Sequence, residues 1–136
     1  MRIREIKKKD KNEVLKLFKL LTNKQVNLDI DSLINDSNCN CYVLEKDNKV
    51  IGTASLVIYF SPIKGKTGVI EDVVIDKGYQ GQGLGKKLVE RLIKASKKEQ
   101  VNYITLTSNP KRVKARRFYK SLGFDLENTG FFMLKF

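Results

Sequence analysis

Three groups of residues in this sequence have the types and spacing to do chemistry. Glu71 and Asp72 are adjacent carboxylates inside an apolar run, with Val69 and Ile70 before them and Val73, Val74 and Ile75 after. Gln80-Gly81-Gln82-Gly83-Leu84-Gly85-Lys86 is a glycine cluster between a β-rich stretch and a helical one. Tyr119 sits in Ala115-Arg116-Arg117-Phe118-Tyr119-Lys120-Ser121-Leu122-Gly123-Phe124. The chain has no histidine, which removes Ser-His, Cys-His and His-metal catalysis. Its two cysteines make neither a disulfide framework nor, without histidine, a four-ligand zinc site, so no metal is expected. Chemistry falls to carboxylates, tyrosine, lysine, backbone amides or a bound cosubstrate.

The glycine cluster has a physical reading of its own. Glycines let the backbone approach a ligand and adopt turns closed to other residues. The helix that follows offers unpaired N–H groups and the positive end of its dipole, so a phosphate fits there. The loop is not a Walker A motif: Lys87, not Ser or Thr, follows Lys86, and Gln80 stands where a glycine is needed. A dinucleotide fingerprint needs a third glycine where Lys86 stands. A tight strand-to-helix turn remains the plain alternative. For Glu71 and Asp72, side chains that alternate along a strand face opposite sides, and pairing with lysines is their structural alternative. Cys39 and Cys41, two apart, point the same way in a strand and read as packing residues.

The elements that must position these groups are legible along the chain. Residues 2–6 alternate and read as a strand. Asp10 caps a helix with Glu13 in its first turn and Val14, Leu17, Phe18 and Leu21 on one face. Asp29 or Asp31 caps a short second helix through Leu33 and Ile34. A strand around Cys41 to Glu45 turns at Asp47-Asn48 into a long β-rich run from Lys49 to Phe60. After a loop at Ser61 to Gly65, Thr67 to Ile75 is the most β-like stretch. A helix follows the glycine turn, with Leu84, Leu88, Leu92 and Ile93 on its apolar face. Val101 to Leu106 is a short strand, Arg112 to Ser121 a helix stopped by Gly123, and Phe124 to Phe136 a last pair of short strands.

With 136 residues, 41% apolar and 31% charged, the chain reads as one globular domain, 1–136. No apolar run approaches the ~18 residues of a membrane span, and the N-terminal residues lack a signal peptide's apolar core, so a cytoplasmic protein with no membrane partner is expected. Lys and Arg number 27 against 15 acids, net +12. That favours anionic partners such as phosphorylated metabolites or a nucleotide-like cosubstrate, although lysines spread along the whole chain also serve simply to solvate it. No RNA-recognition aromatic motif or zinc finger is present, so nucleic acid is disfavoured.

Gln80-x-x-Gly83-x-Gly85 directly after Val73-Val74-Ile75 resembles the acyl-CoA pyrophosphate loop of the GNAT superfamily of N-acetyltransferases. Ala115-x-x-Phe118-Tyr119-x-x-x-Gly123-Phe124 resembles that superfamily's other signature. The order of elements matches too, so the resemblance covers nearly the whole chain. It implies an α/β (α+β) fold: a mixed, mostly antiparallel sheet of six to seven strands with splayed fourth and fifth strands, flanked by about four helices. A narrower similarity, to glucosamine-6-phosphate N-acetyltransferases, rests on Gly68 to Ile75 and Tyr79 to Lys86. The chain departs from that narrower pattern at Thr107, where those enzymes usually carry an acid, and at Asn109-Pro110-Lys111-Arg112.

The resemblance implies an acetyl-CoA-dependent N-acetyltransferase acting on a primary amine of a small molecule or peptide by direct attack, the acceptor being free to carry an anionic group. The backbone of Val73, Val74 and Ile75 would pair with the pantetheine arm, one N–H, that of Val73, polarising the thioester carbonyl. Gln80 to Lys86 would hold the pyrophosphate. Asn109 would stand in for an Asn found elsewhere in the family, where this chain has Arg112, and Lys86, Lys87, Lys111 and Arg112 would lie near the phosphates. An alkylammonium has a pKa of ~10.4 like lysine, so Glu71, directly or through water, is the first candidate base and Asp72 the alternative or a substrate-binding group. Tyr119 would donate to the leaving thiolate, while Phe118 and Phe124 read as core. The alternative is a GNAT-fold acyl-CoA sensor or nucleic-acid-binding module without turnover, and the alternative substrate is glucosamine 6-phosphate. A homodimer is compatible with the resemblance.

Overall fold

A computed structural model describes all residues 1–136. The chain divides into two compact units, Met1–Thr105 and Leu106–Phe136. The first is built from β1 (Arg2–Glu5), α1 (Lys11–Phe18), α2 (Ile30–Asn35), β2 (Cys39–Lys46), β3 (Lys49–Ser61), β4 (Gly65–Ile75), α3 (Leu84–Lys98) and β5 (Ile104–Thr105). Its strands lie in sequence order, antiparallel except for the parallel β4–β5 pair. A parallel pair needs a crossover connection, and α3 supplies it. No helix is long and apolar enough to cross a membrane.

The two sheet faces follow from the register. Cys41 and Val43 on β2 and Val74 on β4 share one face, where they pack with Val14 and Leu17 of α1 and with Ile6 and Ile30. Tyr42, Gly52 and Ile75 lie on the other, under α3. Arg91 stacks on the Tyr42 ring, 4.6 Å from its centroid. A Cβ on Gly52 would stand 2.6 Å from Ile75 Cδ1 and 3.2 Å from Leu88 Cδ1, so the absence of a side chain there is what lets α3 sit close. Asp47 and Asn48, with φ of +50° and +60°, form the two-residue β2–β3 turn whose twist matches its strands.

Several sequence expectations are corrected. The sheet has five strands rather than six or seven. Phe124 to Phe136 forms no strand, and Phe131, Phe132, Met133, Leu134 and Phe136 are exposed; a strand exists only where its backbone finds a ladder partner, and this run has none. The strand expected over 101–106 is paired only at Ile104 and Thr105. Leu21 is exposed because α1 ends at Phe18, before the residue that would have continued its apolar face. Asp29 does cap α2, accepting from Ser32 N at 3.1 Å.

Asp10 does not cap α1 through its side chain. Its carboxylate accepts from Arg4 Nη1 and Nη2 at 2.7 and 2.9 Å and from the Lys7 backbone N–H at 2.7 Å. Arg4 also reaches Glu45, at 2.6 Å. Asp10 is 2% exposed. Burial alone would raise its pKa, yet the Arg4 guanidinium and the Lys7 N–H hold it below the ordinary carboxylate value. A folded-state pKa lowered in this way contributes stability above the unfolded pKa, and that contribution is lost as pH falls through the folded value. Arg4→Ala strands a buried carboxylate and is expected to cost about 3–5 kcal/mol. Urea unfolding at neutral pH checks this; a midpoint within error of the parent contradicts it.

Candidate functional site

The carboxylate pair sits on a break in the β3–β4 ladder. Thr53 pairs with Val74 and Ser55 with Glu71, so Asp72 and Val73 together oppose the single Ala54. Two residues against one is a β-bulge, which bends a strand and sharpens its twist. Asp72 takes φ +54°, a left-handed conformation that Asp tolerates better than most residues. The bulge breaks strict alternation between Glu71 and Val74, which share a face although three residues apart, and Glu71 keeps the face of Ser55 and Cys41. Partial desolvation raises the Glu71 carboxyl, with the Asp72 charge adding to it, and partial desolvation raises Asp72, although both residues keep much of their surface in solvent. Neither carboxylate has the lysine partner that a structural role would give it. Cys39 and Cys41 share a face, as their spacing predicts. Burial raises both thiols, with Asp72 and Glu71 adding to the effect at Cys39.

The other edge of β4 is only partly paired. Pairing with β5 is limited to Gly68–Ile104 and Val69–Thr105. From Ile70 to Ile75, β4 has no strand partner on that side, so Val73, Val74 and Ile75 present backbone groups there that an extended ligand can pair with.

This open edge runs directly into the glycine loop. Asp76 accepts from Gly78 N at 2.9 Å in a 3-10 turn over Lys77–Tyr79. Gln80 Nε2 donates to the Ile75 carbonyl at 2.9 Å, so the Gln80 side chain pins the loop back onto the strand. Gly81 and Gly83 hold φ of +79° and +75°, and a Cβ at either would meet nothing within 4 Å. These left-handed conformations favour glycine, and the space it leaves is open. Gly83 is the N-cap of α3, no side chain caps the helix, and no acid lies in its first turn. The N-terminal N–H groups of a 15-residue helix, those of Leu84, Gly85 and Lys86, are thus left without a side-chain cap beside an unfilled turn. Gln82 is exposed, and Lys86 lies 3.8 Å from Glu90 one turn on. An open strand edge for an amide-bearing arm, followed by an uncapped helix N-terminus for phosphates, fits acetyl-CoA.

The second unit carries Asn109, Arg112 and Tyr119. Asn109 accepts from Lys111 N through Oδ1 and from Arg112 N through its carbonyl, both at 2.9 Å, a turn that leads into α4 (Val113–Ser121). Arg112 is exposed at the helix N-cap. At the other end, Gly123 has φ +97°, its N–H reaches the Lys120 carbonyl at 3.0 Å, and Phe124 N reaches the Tyr119 carbonyl at 3.1 Å. These are the two bonds of a Schellman stop. The Tyr119 ring meets Phe124 edge-on with centroids 5.8 Å apart, and Phe118 at 5.1 Å. The Phe-Tyr-x-x-x-Gly-Phe spacing is therefore a helix ending with its apolar clasp. Burial raises the Tyr119 phenol, with Arg112 opposing. The feature that sequence reading missed is the β4 bulge, whose signal was a charged pair inside an apolar strand; the open edge beyond it lies where the resemblance implied that the fourth and fifth strands splay.

The model of the acetyltransferase (GNAT) family matches residues 5–124. Among curated proteins, the chain is 44% identical over 61 residues to "Histone acetyltransferase TAP1" of Glycine max, a match covering 45% of this chain and 25% of that protein. It is 38% identical over 78 residues to the glucosamine 6-phosphate N-acetyltransferase of Trypanosoma brucei brucei, covering 56% of this chain and 51% of that one. The chain thus spans from about a quarter to about half the length of these curated relatives. Among solved structures, glucosamine-6-phosphate N-acetyltransferase from Arabidopsis thaliana superposes with a TM-score of 0.83 at 27% identity, covering 99% of this chain and 97% of that one. A putative acetyltransferase from Agrobacterium tumefaciens gives 0.88 at 21% identity over 99% and 100% of the two chains, a likeness of fold. A family model spanning both the glycine loop and the Phe-Tyr helix end, on a fold of the same class, places the chain in the GNAT family of acetyltransferases.

Proposed function

We propose that the protein transfers the acetyl group of acetyl-CoA to a primary amine by direct attack. The observation that carries this reading is the unpaired edge of β4 running into a left-handed glycine loop at an uncapped helix N-terminus. The backbone of Val73, Val74 and Ile75 pairs with the pantetheine arm, and the Val73 N–H polarises the thioester carbonyl as charge develops on its oxygen. The loop from Gly81 to Lys86 holds the pyrophosphate, with Gln80 fixing its shape. Asn109 and Arg112 contribute to binding the nucleotide end. Glu71 takes the ammonium proton, directly or through water, with Asp72 beside it to bind the amine. Tyr119 donates to the departing thiolate, a role that rests on the motif. The protein acts in the cytoplasm in this reading.

A base works deprotonated, so the raised Glu71 carboxyl predicts a rate that climbs with pH through an apparent pKa above the ordinary Glu value. Glu71→Gln is expected to lower kcat/KM by about 10²–10⁴-fold and to remove that acidic limb. A pH profile of kcat/KM for both proteins tests the reading; an unchanged limb in the variant overturns Glu71 as the base.

The trypanosomal and Arabidopsis relatives favour glucosamine 6-phosphate as a second reading of the acceptor. Against it stands the exposed Thr107, where the aminosugar enzymes usually place an acid. A hydroxyl cannot supply that charge, and a lost polar partner can cost ~10⁴ in discrimination. Glucosamine 6-phosphate is therefore expected to rank below the best free amine in kcat/KM. A tenfold or greater preference for the sugar phosphate contradicts the Thr107 argument.

A further inference from the structure

The register beside Glu71 describes a floor with a chemistry of its own. Cys41, Ser55 and Glu71 form one cross-strand row, and Cys39, Val57 and Val69 form the next row on the same face. Within the first row Cys41 and Ser55 are buried, while Glu71 at its end is exposed. All three residues of the second row are half-buried rather than covered. Directly opposed residues on one sheet face stand about 4.5–5.5 Å apart at Cβ, so Cys39, Val57 and Val69 make a continuous strip. None of the three carries a strong hydrogen-bonding side chain. Two carboxylates without ion-pair partners, on a chain of net charge +12, border this strip. Glu71 follows Val69 by two residues on the same face, so its carboxylate stands at the end of the strip.

We infer that the acceptor is an amphipathic primary amine, an ammonium on an alkyl or aralkyl substituent, whose cationic end meets Glu71 and Asp72 and whose apolar part lies over Val57 and Val69. The inference rests on the reading of Glu71 as the base and adds the acceptor's chemical class. A polyhydroxylated or phosphorylated acceptor needs donors and acceptors around its ring, and a valine–cysteine strip leaves such groups desolvated without partners. An apolar substituent loses nothing there. The ammonium is matched by charge, and it arrives where its proton is removed.

The test compares phenethylamine, methylamine and glucosamine 6-phosphate as acceptors of acetyl from acetyl-CoA, with the parent and with Val57→Thr/Val69→Thr. Threonine keeps the β-branched shape that suits a strand and adds one hydroxyl at each place. Retention of the acetyl-CoA-induced rise in melting temperature shows the double variant to be folded and loaded. Phenethylamine is expected to be the best acceptor. The double variant is expected to raise its KM about tenfold while leaving kcat and methylamine turnover unchanged, because methylamine does not reach the strip. Glucosamine 6-phosphate as the best parent substrate, or an unchanged phenethylamine KM in the variant, overturns the inference while leaving the acetyltransferase reading intact. Absence of acetyl transfer to any amine by a protein that binds acetyl-CoA overturns that reading, and the inference with it.

Discussion

Tyr119→Phe is expected to lower kcat by about 10²–10⁴-fold, the usual worth of a positioned acid, while acetyl-CoA binding changes little. The substitution removes one oxygen and keeps the ring. That matters because the ring also packs edge-on against Phe124 in the clasp that ends α4. Phenylalanine preserves the clasp, so a fall in kcat reports the hydroxyl and not the fold. A larger truncation would confound the two. Turnover and the acetyl-CoA dissociation constant are measured under conditions where chemistry limits the rate. Unchanged kcat would leave Tyr119 with its packing role alone.

Gly83→Asp is expected to abolish acetyl-CoA binding and leave the fold standing. In the parent, acetyl-CoA at about 100 times its dissociation constant adds about 2.7 kcal/mol to stability and raises the melting temperature accordingly. The variant puts a side chain and a negative charge into the space where the phosphates are proposed to lie. Gly83 has φ +75°, which strains most residues, but Asp is among the few that enter the left-handed region. Its Cβ meets no atom within 4 Å, so no clash with the protein competes with the intended effect. Near-parental melting without ligand, and no rise with millimolar acetyl-CoA, is the expected pair of results. A parental rise in the variant would remove the glycine loop from the binding site.

These two positions also illustrate what the sequence made legible. The Gln80 to Lys86 spacing located the loop, and positive φ at Gly81 and Gly83 gives the spacing its physical basis. The Phe118-Tyr119…Gly123-Phe124 spacing located a helix end, which is a Schellman stop. Such local features are readable because one turn's backbone geometry dictates its residues. What the sequence did not reveal depended on pairing between distant segments. Alternation alone gives Glu71 to Val74 a regular strand; only the register against Ser55 and Thr53 exposes the bulge at Asp72 and Val73. Asp10 precedes α1 as a capping residue does, yet Arg4 and Glu45 draw its carboxylate into a buried network. Phe124 to Phe136 has the composition of strands, but composition cannot supply a ladder partner.

Turnover separates an acetyltransferase from a protein that only holds acetyl-CoA, and thiol release with and without an amine measures it. Purified protein is incubated with acetyl-CoA, free CoA is followed by a thiol reagent, and the acceptor is analysed by mass for an added acetyl group. Release is expected to depend on both protein and amine, with one acetylated amine per thiol, and both signals are expected to fall about 10²–10⁴-fold in Glu71→Gln. Saturable acetyl-CoA binding with no amine-dependent release across primary amines, aminosugars and peptide N-termini would refute the proposed transfer and identify a protein that binds the acyl carrier without using it.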